Sequence, residues 1–259
     1  QIEPNKENFF KFFENKKNYL LLKKNTTTIS ENIIIPKGYT VKILPGQNII
    51  LENNAFILSY SNFQIGEKEN NKKVYVTGNK NNFGGGIYIN SENPSFVFNS
   101  EFSFLNGIID KKSEVNFLDS LRIYGSVNFF LGKVKMSNVK FDQINSEDAL
   151  NIISSKFQLN NLIFKNIKSD AIDVDFGNGS ISNSSFEEIG NDAIDFSGSV
   201  SSLSNINLIN IGDKSVSIGE SSKIEISNLE ILNSFIGFAV KDGSKVKLNN
   251  TSIKNGNYG

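Results

Sequence analysis

The chain contains 259 residues with a formal net charge of zero, and its 27 basic residues include a single arginine, Arg122. This balance argues against a nucleic-acid-binding protein, because such proteins usually carry a basic excess and arginine-rich surfaces. Cysteine and histidine are both absent, which excludes zinc fingers, thiol nucleophiles and Ser-His-Asp triads. Metals with oxygen ligands, such as calcium, remain compatible with this composition.

The sequence contains no apolar run long enough to span a membrane, and its first residues do not form a signal peptide. It begins at Gln1 and breaks off shortly after a strand pattern. We therefore expect a piece of a longer chain, truncated at its C-terminal end and flanked by neighbouring domains. The absence of cysteine favours an oxidising, extracellular location.

Residues 5–18 place four phenylalanines among polar residues, at a spacing that suits one face of a short helix. These are Phe9, Phe10, Phe12 and Phe13. We predict that residues 1–29 form a capping segment containing this helix, with a membrane or partner helix as the alternative. The cap is favoured because the bare end of a solenoid exposes unpaired strand edges.

From Tyr19 onwards, short apolar segments with a strand period alternate with turn signals. Pro36-Lys37-Gly38 and Pro45-Gly46 mark two of these turns. The run Gly84-Gly85-Gly86 lacks the Lys-Ser/Thr of a phosphate-binding loop and enters a strand. A tight corner between strands is the favoured interpretation of that run.

A short pattern recurs from Met136 to the end of the chain, in the forms MSNVKF, LNNLIF, ISNSSF, LSNINL, ISNLEI and LNNTSI. The third residue of each is an asparagine: Asn138, Asn161, Asn183, Asn205, Asn228 and Asn250. A repeat of this length with two short strands per period predicts a solenoid. Between Phe98 and Lys135 the segments FNSEFSF and FLDSLRI predict two shorter coils, with Ser100 and Asp119 at the asparagine position.

The segment IIIPKGYTVKILPGQ and the NDAIDFSGS-type repeats resemble bacterial right-handed parallel β-helix proteins of the pectin-lyase-like superfamily. The resemblance covers about residues 30–259. It implies an all-β, single-stranded right-handed parallel β-helix with coils of about 19–23 residues. Similar repeats occur in large secreted or cell-surface bacterial proteins, and the fold hosts many activities.

In such a fold, the repeated asparagines are expected to turn inward and bond the same amide in the next coil, forming an asparagine ladder. A preference of asparagine for turns would place a bend at the same positions. Both interpretations give this column a structural role. Phe141, Phe164 and Phe186 are predicted to be core residues.

A second pattern, seen in EDALNI, SDAIDV and NDAIDF, alternates cleanly and predicts a strand in every coil. Two columns are predicted to face inward: Leu150, Ile172, Ile194, Val216 and Phe238, and Ile152, Val174, Phe196, Ile218 and Val240. The outward columns are then Ala149, Ala171, Ala193, Ser215 and Gly237, and Asn151, Asp173, Asp195, Ser217 and Ala239. They predict a shallow acidic groove with Asn151, Asp173, Asp175 and Asp195 as ligand-binding residues.

Asp173 and Asp195 would stack on this face and repel each other. A calcium ion held by Asp173, Asp175 and Asp195 would relieve the repulsion, and so would solvent screening or a raised pKa. Asp148, Asp170 and Asp192 form a further column at the turn. Bonds to turn amides are favoured over ligand binding for these three aspartates.

No catalytic site is recognisable. Relatives that hydrolyse polygalacturonate use carboxylates with a histidine, and pectate-lyase-like members use an arginine beside calcium, whereas Arg122 lies at least one coil from the aspartates. A lysine base at Lys133, Lys135, Lys140 or Lys165 stays open. Tyr60, Tyr75, Tyr88 and Tyr124 are the candidate exposed rings for stacking on sugars.

Three functions are compatible with these features. The favoured one is an extracellular or cell-surface bacterial β-helix that binds or displays, associated with polysaccharide or cell-surface glycan. The second is a polysaccharide lyase or glycoside hydrolase that uses the aspartate strip. The third is a structural spacer or stalk.

Overall fold

The computed structural model describes residues 8–107 and 125–258. A 3-10 turn at Asn8–Lys11 is followed, in chain order, by β1 (Phe13–Lys16), β2 (Tyr19–Leu22), β3 (Thr26–Ile29), β4 (Ile33–Ile35), β5 (Thr40–Ile43), β6 (Asn48–Leu51), β7 (Ile57–Ser59), β8 (Asn62–Ile65), β9 (Val74–Thr77), β10 (Ile87–Asn90), β11 (Ser95–Ser103), β12 (Gly125–Phe130), β13 (Lys133–Ile144), β14 (Asp148–Ile153), β15 (Lys156–Ile167), β16 (Asp170–Asp175), β17 (Asn178–Ile189), β18 (Ile194–Ser197), β19 (Val200–Gly219), β20 (Lys223–Val240) and β21 (Lys245–Tyr258).

These strands stack into a parallel β-solenoid of about ten coils, which confirms the predicted fold class. Sheet A contains β4, β7, β10, β12, β14, β16, β18 and the C-terminal parts of β19 and β20. Sheet B contains β2, β5 and β8, followed by the N-terminal parts of the long strands from β11 to β21. Sheet C contains β3, β6 and β9, followed by later segments of the same long strands.

The N-terminal segment contains less helix than its pattern predicts. From residue 8 onwards, where the segment is described, Asn8–Lys11 alone is helical, as a single 3-10 turn, and β1 and β2 then form an antiparallel hairpin. Lys17 and Asn18 have φ values of 52° and 68°, so the chain reverses there instead of continuing a helix. Strand β2 already pairs with β5. The first coil therefore starts at Tyr19, inside the segment expected to form the cap.

The prediction of two short coils between Phe98 and Lys135 is wrong. Strand β11 pairs directly with β13, with Ser100 opposite Val139. A single long coil therefore separates these strands, and Asn99 occupies the asparagine position expected for Ser100. Asp119 lies outside the described residues.

The core is built from columns of identical or similar side chains. Phe102, Phe141, Phe164 and Phe186 stack with ring centroids 5.1, 4.7 and 4.9 Å apart. In sheet A the two predicted inward columns hold their register and are buried, except that Phe238 is partly buried and Val240 is 43% exposed. Both exceptions belong to β20, which has no following sheet A strand among the described residues to cover it.

The asparagine ladder exists, but it lies on the outer surface. All six predicted asparagines are exposed and have φ values between 52° and 58°. Asn205 donates to Asn183 Oδ1 at 2.8 Å and accepts from Asn228 Nδ2 at 3.0 Å. The left-handed backbone at the bend between sheets B and C directs the amide away from the core, so the expected inward orientation is wrong.

A second left-handed corner follows each ladder asparagine after five residues, at Gln143, Asn166, Glu188, Asn210, Asn233 and Asn255. Asn233 donates to Asn210 Oδ1 at 2.9 Å, and Asn210 donates to the Glu188 carboxylate at 2.6 Å. The offset of five residues is the same in all six coils. The two corners together bound the short segments of sheet C.

The Gly84-Gly85-Gly86 run forms the tight corner that was predicted. A Cβ atom on Gly85 would lie 2.5 Å from the carbonyl oxygen of Asn54, and one on Gly86 would lie 2.2 Å from that of Ser126. Only glycine allows the adjacent coils to approach this closely. Among the described residues, none of the helical structure is long and apolar enough to cross a membrane.

Candidate functional site

The candidate site is a column of mostly polar side chains on the outward side of sheet A. Its members are in register from coil to coil: Tyr88, Asn128, Asn151, Asp173, Asp195 and Ser217. We call this set the polar column. Adjacent members lie about 4.8 Å apart along the solenoid, because that is the spacing of paired strands.

The polar column is far less exposed than a surface groove would be. Asn128, Asn151 and Ser217 are at most 1% exposed, whereas Asp173 and Asp195 are half-buried. The neighbouring strip of small residues was predicted to face outward, and this is wrong. Ala149, Ala171 and Ala193 are fully buried in the main hydrophobic core, and Ser215 Oγ donates to Ser234 Oγ at 2.8 Å. The pairing between adjacent strands of sheet A is interrupted at the alanine positions. Side chains therefore do not alternate strictly between inward and outward there.

Asn151 links two carboxyl groups of adjacent coils. Its Nδ2 donates to Asp148 Oδ2 at 2.9 Å and to Asp173 Oδ2 at 3.2 Å. The equivalent residue one coil earlier, Asn128, instead bonds backbone atoms of Gly125. The role of the column thus changes from structural at Asn128 to carboxyl-binding at Asn151.

Several atoms of the polar column lack hydrogen-bond partners. In the described part of the chain, the buried side-chain atoms without a partner include Tyr88 Oη, Asn151 Oδ1, Asp195 Oδ1 and Ser217 Oγ, and the others are on Ser201 and Thr251. Four of these six atoms therefore fall in a single column. A buried polar atom without a partner costs about 1–3 kcal/mol, so a cluster of them calls for a functional explanation.

Burial also sets the protonation of the carboxyl groups. It raises the pKa of Asp148 to about 7, an effect that the bond from Asn151 opposes and that the charge of Asp170 reinforces. Burial, followed by the charges of Asp148 and Asp175, raises the pKa of Asp173 to about 9. At neutral pH the Asp173 carboxyl therefore holds its proton and can both donate and accept a hydrogen bond.

Two of the three aspartates at the turn, Asp170 and Asp192, accept bonds from backbone amides as the favoured interpretation predicted, whereas Asp148 accepts a bond from the side chain of Asn151. Asp170 Oδ1 accepts bonds from Asn191 Nδ2 at 2.6 Å and from the backbone amide of Asp192 at 2.9 Å. Asp192 in turn accepts from the backbone amide and the side chain of Lys214, at 3.0 and 3.3 Å. Burial raises the pKa of both carboxyl groups, and these bonds oppose that rise.

The three predicted calcium ligands do not converge into one cage. Asp173 pairs with Asp195 in register, but Asp175 pairs with Ser197. Within residues 8–107 and 125–258, no group of three or more acidic side chains is arranged to hold a metal ion. Protonated Asp173 is also a poor calcium ligand. A calcium site at these residues stays a prediction.

The candidate catalytic and sugar-stacking residues are dispersed. Lys133 and Lys135 lie on the outward side of sheet B, and Lys140 and Lys165 lie on sheet C in ion pairs with Asp142 and Glu187. Tyr88 is buried, Tyr60 is half-buried and Tyr75 is 39% exposed. Arg122 and Tyr124 lie outside the described residues.

The most exposed large apolar side chain in the described chain is one that the sequence pattern did not single out. Phe176 is 63% exposed and has a φ of 54°, at the corner between sheets A and B. Gly198 lies beside its ring, and a Cβ atom there would be 2.6 Å from the ring. Gly198 is the one signal in the sequence that points to this arrangement, because a larger residue there would collide with the Phe176 ring.

Comparison with known proteins yields structural neighbours only. No protein-family model matches the chain, and no curated protein matches it. Among solved structures, a mutant of the periplasmic alginate epimerase AlgG is similar with a TM-score of 0.49 and 10% identity, over 100% of this chain and 77% of the epimerase chain. A double mutant of that epimerase has a TM-score of 0.44 and 11% identity, over 96% and 78% of the two chains. At this level of similarity, the epimerase activity is not transferred to this chain.

Proposed function

We propose that this protein is a secreted or cell-surface bacterial β-helix module that binds carbohydrate along the polar column and does not catalyse a reaction. The observation that carries the proposal is the register of the partly exposed Asp173 and Asp195 carboxyl groups on the outward side of sheet A, with Asp175 on the same strand as Asp173. Asp173, Asp175 and Asp195 stay partly exposed and form the accessible part of the site.

The chemistry of the column favours a ligand rich in hydroxyl groups. The partly exposed carboxyl groups of Asp173, Asp175 and Asp195 accept hydrogen bonds, and protonated Asp173 can also donate one. A sugar hydroxyl both donates and accepts, so it can satisfy either kind of partner. Because Asp173 and Asp195 lie one strand spacing apart, an extended polysaccharide could contact both of these adjacent coils.

The positions of the candidate lysines favour a protein without catalytic activity. A general base must come within hydrogen-bond reach of the proton that it removes. Of the four candidate lysines, two lie on sheet B and two are ion-paired on sheet C, so none shares a sheet face with the polar column. In the described residues, the polar column consists of Tyr88, Ser217 and four side chains that end in a carboxyl or an amide group.

One observation favours an enzyme as the second candidate. Asp173, with its raised pKa, is in register with Asp195. A protonated carboxyl next to a second carboxyl group is the pair that retaining glycoside hydrolases use as acid and nucleophile. A glycoside hydrolase must form product from a polysaccharide, whereas a binding module only has to bind it.

The test is isothermal titration of neutral polysaccharides, such as dextran and xylan, into the wild type and into an Asp173→Asn, Asp195→Asn variant. Saturable binding that weakens in the variant supports the proposal. A Glu69→Gln variant is the matched control, because Asp173 is protonated at neutral pH, so the double variant and the control each remove one formal negative charge, the control from an exposed turn. An absence of binding in the wild type would contradict the proposal and leave the spacer function.

The same samples are assayed for new reducing ends and for unsaturated products. Product formed by the wild type and lost in the Asp173→Asn, Asp195→Asn variant would replace the binding function by hydrolysis or lysis. A calcium titration of both proteins tests the predicted calcium site. Heat that is saturable in the wild type and absent in the variant would establish that site.

A further inference from the structure

The outward side of sheet B has a charge pattern different from that of sheet A. Two of its columns are in register over the last six coils, and their side chains alternate with buried core residues. The first column is Lys133, Lys156, Asn178, Val200, Lys223 and Lys245, and the second is Lys135, Gln158, Ser180, Ser202, Glu225 and Lys247. We call this surface the lysine face. It carries six lysines and one glutamate in a chain whose net charge is zero.

These six lysines are exposed and form no ion pair within the described part of the chain. On sheet C the opposite arrangement occurs. There Lys140 pairs with Asp142 at 2.6 Å, and Lys165 pairs with Glu187 at 3.0 Å. The ammonium groups of the lysine face are therefore not neutralised by neighbours, as those of sheet C are.

The lysines form two clusters along the solenoid. The first contains Lys133, Lys135 and Lys156, and the second contains Lys223, Lys245 and Lys247. Two coils without a charged residue in either column separate the clusters, with Asn178 and Val200 in the first column. At one strand spacing per coil, the gap from Lys156 to Lys223 is roughly 14 Å. A compact anion cannot contact both clusters, whereas a linear polymer can.

Each cluster borders a groove. The first groove, of about 350 Å³, is lined by Lys133, Lys156, Phe176 and Asn178 among others, and Glu92 also lines it. The second groove, of about 480 Å³, is lined by Val200, Ser202, Glu225 and all three lysines of its cluster. The exposed Phe176 ring, held beside Gly198, provides an apolar surface on which a sugar ring can stack.

We propose that the lysine face binds a linear anionic polysaccharide that spans both clusters. The anionic groups bind the lysine ammonium groups, and a sugar ring in the first groove packs on Phe176. The face contains no arginine for base recognition, and one exposed ring does not form a continuous stacking platform, so a glycan is favoured over a nucleic acid. This site lies on a different sheet from the polar column and goes beyond the proposed function.

The experiment measures binding of fluorescent dextran sulfate chains of graded length by anisotropy, with polygalacturonate and a single-stranded oligothymidylate as parallel probes. Chains long enough to reach both clusters should bind at least tenfold more tightly than short ones, because the second cluster binds intramolecularly. Affinity should fall steeply as salt increases. Dextran sulfate and polygalacturonate separate sulfate from carboxylate as the recognised group.

Two triple variants test the two clusters. These are Lys133→Gln, Lys135→Gln, Lys156→Gln and Lys223→Gln, Lys245→Gln, Lys247→Gln. Each should weaken binding of the long chain about tenfold or more and abolish the advantage of length. The matched control, Lys37→Gln, Lys68→Gln, Lys80→Gln, removes the same charge from exposed turns and should leave affinity unchanged. Circular dichroism melting verifies that each variant folds.

Unchanged long-chain affinity when all six lysines are replaced would overturn the proposal. Tighter binding of the oligothymidylate than of either glycan would also overturn it, by making the surface a nucleic-acid site. The Asp173→Asn, Asp195→Asn variant should retain binding of dextran sulfate. Failure of this site and failure of the polar column are therefore separate results.

Discussion

At the scale of single residues, burial decides the chemistry of Asp173. Its carboxyl group lies on the outward side of a strand, but burial and neighbouring carboxyl groups raise its pKa to about 9. An outward-facing aspartate is expected from sequence to be a solvated charge. The sequence predicted the register of Asp173 with Asp195 and allowed a raised pKa beside calcium binding and solvent screening. The extent of burial depends on the packed structure, so the sequence could not select the protonated state among these three.

The raised pKa of Asp173 predicts how stability depends on pH. An unfolded aspartate ionises near pH 4, whereas folded Asp173 holds its proton until about pH 9, so the folded state binds more protons between these values. Stability should therefore fall as pH rises through this window. Asp173→Asn removes the titration and should raise the Tm at pH 9 by roughly 3 °C or more, with a smaller effect at pH 4.

This prediction is checked by calorimetric melting of both proteins at several pH values. Glu69→Gln serves as the control, because Glu69 is an exposed turn residue. If Asp173→Asn were to lower the Tm equally at all pH values, the carboxyl group would have a role in packing that does not depend on its protonation.

The ladder asparagines combine two separable contributions. Asn205 bonds the amides of Asn183 and Asn228 and holds a φ of 54°. Asn205→Gly keeps the left-handed backbone accessible and removes the amide, so it should cost about 1 kcal/mol of unfolding free energy. Asn205→Ala loses both contributions and should cost roughly a further 1–2 kcal/mol.

Urea denaturation of the two variants measures this difference. Equal losses for glycine and alanine would show that the backbone conformation contributes little. Because the ladder is exposed to solvent, these losses are smaller than those expected for a buried amide column. The repeat located the six rungs from Asn138 to Asn250, but it placed the preceding rung at Ser100 instead of Asn99 and did not give the side on which the amides lie.

At the scale of elements, the phenylalanine stack fills the core beneath sheet C, with its rings at the spacing of the paired strands. Phe164 lies between Phe141 and Phe186, with centroids 4.7 and 4.9 Å away and nearly parallel rings. Phe164→Ala should destabilise the protein by about 3–5 kcal/mol, since the rigid coils cannot close the cavity. Phe164→Leu fills most of the space and should cost roughly 1–2 kcal/mol.

Chemical denaturation monitored by circular dichroism measures both losses. The matched control is Ile163→Ala on the same strand, because Ile163 is 42% exposed. We expect that control to change stability by about 0.5 kcal/mol or less. A comparable loss in Ile163→Ala and Phe164→Ala would contradict a dominant role for the stacked rings.

The strands themselves could be predicted well from the repeat. The inward columns of sheet A keep the predicted register because apolar residues recur with both the strand period and the coil period. The alanine column was misplaced because the strand bends where strict alternation was assumed. Two similar apolar segments 19 residues apart suggested two coils, although β11 pairs directly with β13.

At the scale of the whole molecule, the distribution of charge matters more than its sum. A net charge of zero and a single arginine argued against a nucleic-acid-binding protein and gave no sign of a local basic surface. The fold sorts the same residues by face, so unpaired lysines gather on sheet B while carboxyl groups gather on sheet A. The distribution of charge over the faces depends on which residues of successive coils lie in the same column. It can be derived only when the register of every coil is known.

The two ends of the described solenoid also differ in burial. Phe9 and Phe13 are at most 1% exposed at the N-terminal end. At the other end, Leu248 and Ile253 are 46% and 36% exposed, although Ile226, one coil earlier in the column of Leu248, is only 2% exposed. In a solenoid, where each coil contacts only its neighbours, such a difference in packing produces a gradient of local stability.

Hydrogen exchange under native conditions should reveal this gradient. In a sample of these 259 residues, amides of β21, which among the described strands pairs only with β20, should exchange at a free energy several kcal/mol below that of β17 amides, which β15 and β19 flank on both sides. The hairpin of β1 and β2 should be better protected than β21, because the buried rings cover it. Equal protection from β1 to β21 would mean that the coils open only together, and would contradict a solenoid whose stability is the sum of neighbouring interfaces.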